Sequence, residues 1–135
     1  MKFARSIPVG AGAVALLVAV TGTASAGAGT KANVSGGSAV LNVDWRSRYT
    51  AGVKITVTDT AADGARAEGR IQATDRRGNV RWSSWLKVSG KGKKIADSYN
   101  SEDENGIRSL RVQVCRVKGS NKVCQTSGKV GNPYF

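Results

Sequence analysis

From Thr30 onward apolar and polar residues alternate in short runs separated by turn residues, and no long segment shows a helical period. Ala39, Leu41, Val43 and Trp45 alternate with Val40, Asn42 and Asp44, and Ala51, Val53, Ile55 and Val57 alternate with Gly52, Lys54, Thr56 and Thr58. Successive side chains of a strand point to opposite faces, so this pattern and its β-branched content predict two half-buried strands. After the loop TDTAADG, Ala67, Ile71 and Ala73 share one face of a third strand, and Glu68, Arg70, Gln72 and Thr74 share the other. Asp75-Arg76-Arg77-Gly78 then suits a type I turn, with Asp accepting backbone hydrogen bonds and Gly tolerating a left-handed conformation. The next strand, Val80 to Val88, places Val80, Trp82, Leu86 and Val88 on the core face and Arg81, Trp85 and Lys87 outside. A glycine-lysine turn (SGKGKK), a short strand from Ile95 to Tyr99 and an acidic loop from Asn100 to Gly106 follow. A last hairpin joins Ile107–Lys118 to Asn121–Val130, and the tail GNPYF is expected to fray or pack along an edge. Such spacing predicts an all-β fold, an antiparallel sandwich of about seven strands, immunoglobulin-like in outline.

The last hairpin can be worked out in register. If Gly119-Ser120 is a two-residue type II′ turn, Lys118 faces Asn121, Val117 faces Lys122, Arg116 faces Val123 and Cys115 faces Cys124. Counting outward from the turn puts the cysteines on a non-hydrogen-bonded pair, where Cα atoms lie about 4.5 Å apart and a disulfide fits. Leu110, Val112 and Val114 form the inward row, so Cys115 lies with Arg111 and Gln113 on the outer face. Arg116, Lys118 and Lys122 gather near the tip, which reads either as a solvated edge or as a compact positive contact surface.

The N-terminal region changes the picture of where the protein acts. Lys2 and Arg5 precede an apolar run from Ala11 to Val20, and Ala24-Ser25-Ala26 ends it, the three-part layout of a secretory leader cleaved after Ala26. Residues 1–26 are therefore expected to be a signal peptide and residues 27–135 a single β-sandwich domain, released outside the cell with Cys115 and Cys124 oxidised. Of 135 residues, 21 are Lys or Arg and 9 are Asp or Glu; removal of Lys2 and Arg5 leaves 19 against 9, a net charge of +10. Such a charge attracts polyanions, among them nucleic acid, acidic glycans, anionic envelope polymers and anionic lipid.

The residue inventory narrows the chemistry. There is no histidine, which removes Ser-His-Asp, Cys-His and histidine-zinc sites, and the two cysteines are taken by the disulfide. No Ser-Lys motif or spaced carboxylate pair stands out, so no catalytic residue, metal ligand or cofactor is assigned and the chain is read as a non-enzyme. The acidic loop around Glu102, Asp103 and Glu104 offers oxygen ligands but not the calcium-loop spacing, and it is read as a solvated loop or one paired with lysines of the SGKGKK turn. In RWSSWLK, a regular strand puts Trp82 in the core and Trp85 outside among Arg70, Gln72, Arg81 and Lys87. Trp85 then either offers an apolar ring to a ligand or is covered by arginine stems, while a bulge at Ser83-Ser84 would turn both rings inward.

The leader, the short strands and the terminal SLRVQVCRV hairpin together resemble small secreted all-β proteins of actinobacteria that end in a disulfide-closed hairpin. That resemblance implies an exported sandwich, commonly without assigned activity. WRSRY at Trp45 to Tyr49 is faintly similar to the Trp-Arg-Tyr triplet of small bacterial α-amylase inhibitors. Extra residues interrupt the triplet and a second disulfide is missing, so no inhibitory residue is carried over.

The sequence thus leads to a secreted basic binding protein for an anionic polymer or glycan, using Arg70, Arg76, Arg77, Arg81, Trp85 and Lys87 on the outer face of the central hairpin. The competing expectation is a protein-directed effector, a hydrolase inhibitor or growth-inhibiting toxin, acting through Arg116, Lys118 and Lys122.

Overall fold

The computed structural model describes residues 2–5 and 27–135, and every regular element among them is a β-strand. In chain order these are β1 (Lys2–Arg5), β2 (Gly27–Val34), β3 (Gly37–Trp45), β4 (Thr50–Asp59), β5 (Arg66–Asp75), β6 (Val80–Trp82), β7 (Leu86–Ser89), β8 (Lys94–Glu102), β9 (Ile107–Lys118), β10 (Asn121–Thr126) and β11 (Val130–Gly131). The apolar run and cleavage triplet of the expected leader lie outside the described residues; only β1, paired with β8, belongs to that segment.

Two antiparallel sheets pack face to face. The first has the order β1-β8-β4-β3-β2; in the second β10, β9, β5 and β6 are neighbours, with β11 also on β9 and β7 also on β5. The alternation that predicted the strands also fills the gap: Leu41, Val43, Ile55 and Val57 of the first sheet meet Ile71, Leu110, Val112 and Val114 of the second, all at most 3% exposed. β5 contributes mostly small inward residues, Ala67, Gly69 and Ala73, and this lets the sheets approach closely. A Cβ added at Gly69 would stand 2.5 Å from Val57 Cγ2.

The expected β9–β10 hairpin holds in register, and the turn that opens the central hairpin forms as expected. Cys124 faces Cys115 and Lys122 faces Val117, Gly119 has φ +60, and the disulfide closes with Cα atoms 4.0 Å apart. At the β5–β6 turn the Gly78 N–H donates to Asp75 O (3.1 Å) and Gly78 has φ +90. Asp75 Oδ1 accepts from the N–H groups of Arg77 and Asn79, both at 2.8 Å. Burial alone would raise the Asp75 pKa, but the hydrogen bonds from Asn79 and Arg77 outweigh it and hold the carboxyl below its ordinary value.

Several local expectations are corrected. Strand segments exceed seven because β1 adds to β8, because β2, whose apolar alternation is weak, pairs along the whole of β3, and because two strands are interrupted. The first interruption separates β6 from β7. Gln72 faces Trp82 but Gly69 faces Leu86, so three residues, Ser83 to Trp85, oppose two on β5. The second separates β10 from β11, where Thr126 faces Gln113 but Val130 faces Leu110.

Both bulges are closed in the same way. The Ser83 N–H donates to Ile71 O (2.9 Å) and Ser83 Oγ accepts from the Ile71 N–H (2.8 Å). The Ser127 N–H donates to Val112 O (2.8 Å) and Ser127 Oγ accepts from the Val112 N–H (3.0 Å). In each case a serine hydroxyl stands in for the ladder carbonyl that the extra residue displaces, as a buried N–H requires. Ile71 and Val112 face one another, so the two bulges flank the central β5–β9 pair at one level.

The acidic segment is also shorter than expected. β8 runs on to Glu102 and separates the loop from the SGKGKK turn, which instead wraps the buried Asp59: the Gly90 N–H donates to Asp59 Oδ2 (2.8 Å) and the Gly92 N–H to Asp59 O (2.7 Å). Asp103 points inward at 5% exposure, with Oδ1 accepting from the Asn105 N–H (2.8 Å). Among the described residues no three acidic or cysteine side chains gather as a metal site would require.

Candidate functional site

The bulge at Ser83 decides which rings face solvent. Trp82 faces Gln72 on the outer row, and the extra residue returns Trp85 to that row while Leu86 enters the core. Both indoles therefore lie on the outer face, contrary to the core position expected for Trp82 and to the inward turn expected from a bulge. Trp82 is 37% exposed, whereas Trp85 is half-buried.

Arg70 projects from β5 between them. Its guanidinium carbon lies 3.7 Å from the centroid of the Trp82 ring and 4.2 Å from that of Trp85, and Nε donates to Gln113 Oε1 at 2.9 Å. Lys122 reaches across from β10, placing Nζ 4.1 Å from the centroid of the Trp85 ring. A ladder of alternating cations and indoles, Trp82–Arg70–Trp85–Lys122, thus crosses the sheet. The quadrupole of each ring attracts the cations beside it, most strongly where water is thin. Partial burial pushes the Arg70 pKa down from its usual value, the direction expected for a cation drawn out of water.

Glu68 anchors one end of the ladder. It sits on the outer row yet is 3% exposed, with Arg66 Nε 2.5 Å from Oε2 and Lys122 Nζ 3.8 Å from Oε1. Beside the ladder Arg111 Nε donates to Gln72 Oε1 (2.5 Å), and Lys87, opposite Glu68, remains exposed. The face offers one open aromatic surface, N–H donors and exposed cations around it, which is the chemistry of holding an anionic or sugar-bearing ligand.

Of the sequence-derived positions, the structure brings Arg70, Trp85 and Lys87 together. Arg76 and Arg77 sit apart at the β5–β6 turn, and Arg81 faces Ala73, so it points to the opposite side of its strand from Trp82. The hairpin-tip cations do not form one finger. Arg116 faces Ala67 on the inner side and its Nε meets Asp63 Oδ2 at 2.8 Å, Lys118 lies on that same side by alternation, and Lys122 belongs to the ladder on the other. The Arg116 side chain and the Ala65 N–H together hold the Asp63 carboxyl below its ordinary pKa.

Sequence reasoning missed Trp82, Glu68 and the join of Lys122 to Trp85. The alternation between Arg66 and Arg70 did put Glu68 in the outer row, and the Ser83-Ser84 doublet marked the bulge; neither indicated its direction. The chain matches no protein-family model, and no curated protein is significantly similar to it.

Proposed function

We propose that the chain is an exported, non-catalytic protein that binds an anionic polymer or glycan along the outer face of the β10-β9-β5-β6 sheet. The observation that carries this reading is the Trp82–Arg70–Trp85–Lys122 ladder, whose outermost ring is 37% exposed and held from behind by a cation. A sugar ring stacks on Trp82, and carboxylate or phosphate groups of the same chain meet Lys87, Lys122 and Arg111. Because Arg70 is engaged by two rings and Gln113, it presents Trp82 rather than reaching the ligand itself. Export follows from the leader pattern of residues 1–26, with cleavage after Ala26, and agrees with the Cys115–Cys124 disulfide. Cleavage removes β1 and leaves β8 as a sheet edge.

The test is a titration of tryptophan fluorescence with teichoic acid or an acidic envelope polysaccharide, in low and in physiological salt, for the wild type and Trp82→Ala. The expected result is binding that weakens as salt rises and falls by about tenfold in the variant, the loss of one stacked ring. A flat curve at low salt removes the proposal. Duplex DNA of equal charge serves as the comparison: equal affinity for it, insensitive to Trp82→Ala, would reduce the interaction to charge alone.

A further inference from the structure

A second surface lies at the end of the sandwich where the β3–β4, β5–β6 and β8–β9 loops meet the C-terminal tail. Among the described residues, three of the six exposed large apolar side chains are here: Tyr49 at 46%, Tyr134 at 48% and Phe135 at 43%. Arginines accompany them. The guanidinium carbons of Arg48 and Arg108 lie 5.4 and 5.7 Å from the centroid of the Phe135 ring, and the Arg76 N–H donates to Gly106 O at 3.1 Å on the same loop.

The rings are held in place by specific backbone chemistry. Asn132, 8% exposed, donates through Nδ2 to Ser47 O (3.1 Å) and Ile107 O (2.9 Å) and accepts the Tyr134 N–H through Oδ1 (2.9 Å). Its own N–H donates to Arg108 O at 2.9 Å. One side chain thus ties the tail to the β3–β4 loop and to the start of β9. Gly106, with φ +93, supplies the floor for Phe135: a Cβ there would stand 2.7 Å from Cζ of that ring. The tail pairs along β9 through Gly131 and then turns at Asn132, so that Phe135 lies on Gly106 and Tyr134 stands exposed beside it.

We infer that this end of the sandwich docks onto an acidic protein surface that carries an apolar pocket. Tyrosine, phenylalanine and arginine together are the residue types that dominate protein interfaces, and a ring already seated before binding, as Phe135 is between Gly106 and two arginines, loses little entropy on contact. Arg48, Arg76 and Arg108 call for carboxylates on the partner. The exposed Glu102 and Glu104 on the neighbouring β8–β9 side supply the local repulsion that would fix its orientation. A polymer suits this end less well than the ladder face. Tyr49, Tyr134 and Phe135 cluster around Gly106 at the tip of the sandwich, whereas the ladder runs in a line across β6, β5 and β10. This inference is independent of the ladder proposal.

The test uses the oxidised protein, labelled with ¹⁵N, and two synthetic peptides: a glutamate-rich peptide with one central phenylalanine, and the same peptide with serine in its place. The first should shift the backbone amides of residues 48–49, 106–108, 132, 134 and 135 and leave the Trp82 and Trp85 indoles unmoved. The serine peptide should bind at least about tenfold more weakly. Tyr134→Ala and Arg76→Ala, both at exposed positions, should each weaken the first peptide severalfold while leaving the melting temperature unchanged. Because Phe135→Ala releases the tail from Gly106, it is not used. No shift at millimolar peptide, equal affinity for the two peptides, or shifts confined to the tryptophan face would each overturn the inference.

Discussion

Replacing Arg70 by methionine keeps an unbranched stem on β5 and removes the guanidinium from between the two indoles. The wild-type group makes two ring contacts, at 3.7 and 4.2 Å, and one hydrogen bond to Gln113. At about 0.5–1 kcal/mol for each ring contact near a surface and about 1 kcal/mol for the hydrogen bond, the loss amounts to about 2–3 kcal/mol. With a urea slope of about 1.5 kcal/mol per M, the unfolding midpoint falls by about 1.3–2 M. The assay is urea unfolding followed by far-ultraviolet circular dichroism, which does not depend on the indoles as reporters. A double-mutant cycle with Trp82→Ala should return a coupling of about 0.5–1 kcal/mol, the value of the single shared contact. An unchanged midpoint in Arg70→Met, or strictly additive losses in the cycle, would refute the ladder as an energetic unit.

The bulges make a parallel prediction. Ser83→Ala leaves the Ile71 N–H without its acceptor and Ser127→Ala does the same at Val112, each costing about 1–3 kcal/mol. Hydrogen exchange should speed at Ile71 in the first variant and at Val112 in the second, and protection retained at both would contradict the hydroxyl's role. Reduction of the Cys115–Cys124 bond should lower stability by up to about 2.5–3 kcal/mol, seen as a lower melting temperature in reductant; an unchanged melt would show that the turn alone holds the hairpin. Asp75 has a folded pKa below its unfolded value of about 3.9, so its stabilisation is complete above that pH and is lost as pH falls through the folded value. The stability gap between wild type and Asp75→Asn should therefore hold steady above about pH 5 and close below about pH 4. A gap that persists into stronger acid would argue against the carboxylate form as the stabilising species.

How far the sequence could be read depended on where a strand lies in its sheet. β3, β4, β5 and β9 each turn a row of apolar residues to the core, so Leu41, Ile55, Ile71 and Val112 announce their orientation through alternation, although the outer rows of β5 and β9 are largely covered too. The β9–β10 register was equally legible, because the Gly119-Ser120 turn and the cysteine spacing impose the same pairing independently. Edge strands carry weaker signals. β2 pairs through its backbone and buries only Ala32 among its side chains, leaving little periodicity to detect. The bulge at Ser83 depends on whether a neighbouring strand offers a buried N–H at the right level, and Ile71 supplies it from twelve residues away. That tertiary fact inverted the expected position of Trp82. It also turned a set of outer cations into an ordered ladder that includes Lys122, which the sequence had assigned to a different surface. At the tail, Asn132 bonds to carbonyls 85 and 25 positions away, contacts that no local pattern foreshadows.

On the proposed function, the same arrangement would link stability to binding. Arg70 and Glu68 lie beneath the accessible groups, so the face is held together by interactions that the ligand does not need to form. Preorganisation of this kind reduces the entropy lost on contact. It also predicts that variants of Arg70 impair binding chiefly by releasing Trp82.

The three tryptophans offer the most direct test, since each gives one indole N–H signal and they lie in different places. Trp45 is 2% exposed in the core, Trp82 is the open ring and Trp85 the half-buried one. In a ¹⁵N-correlated spectrum recorded while an acidic envelope polysaccharide is added at low salt, the Trp82 signal should move most, Trp85 less, and Trp45 not at all. A polymer that binds while all three indole signals stay still would contradict the assignment of the ladder face as the binding surface.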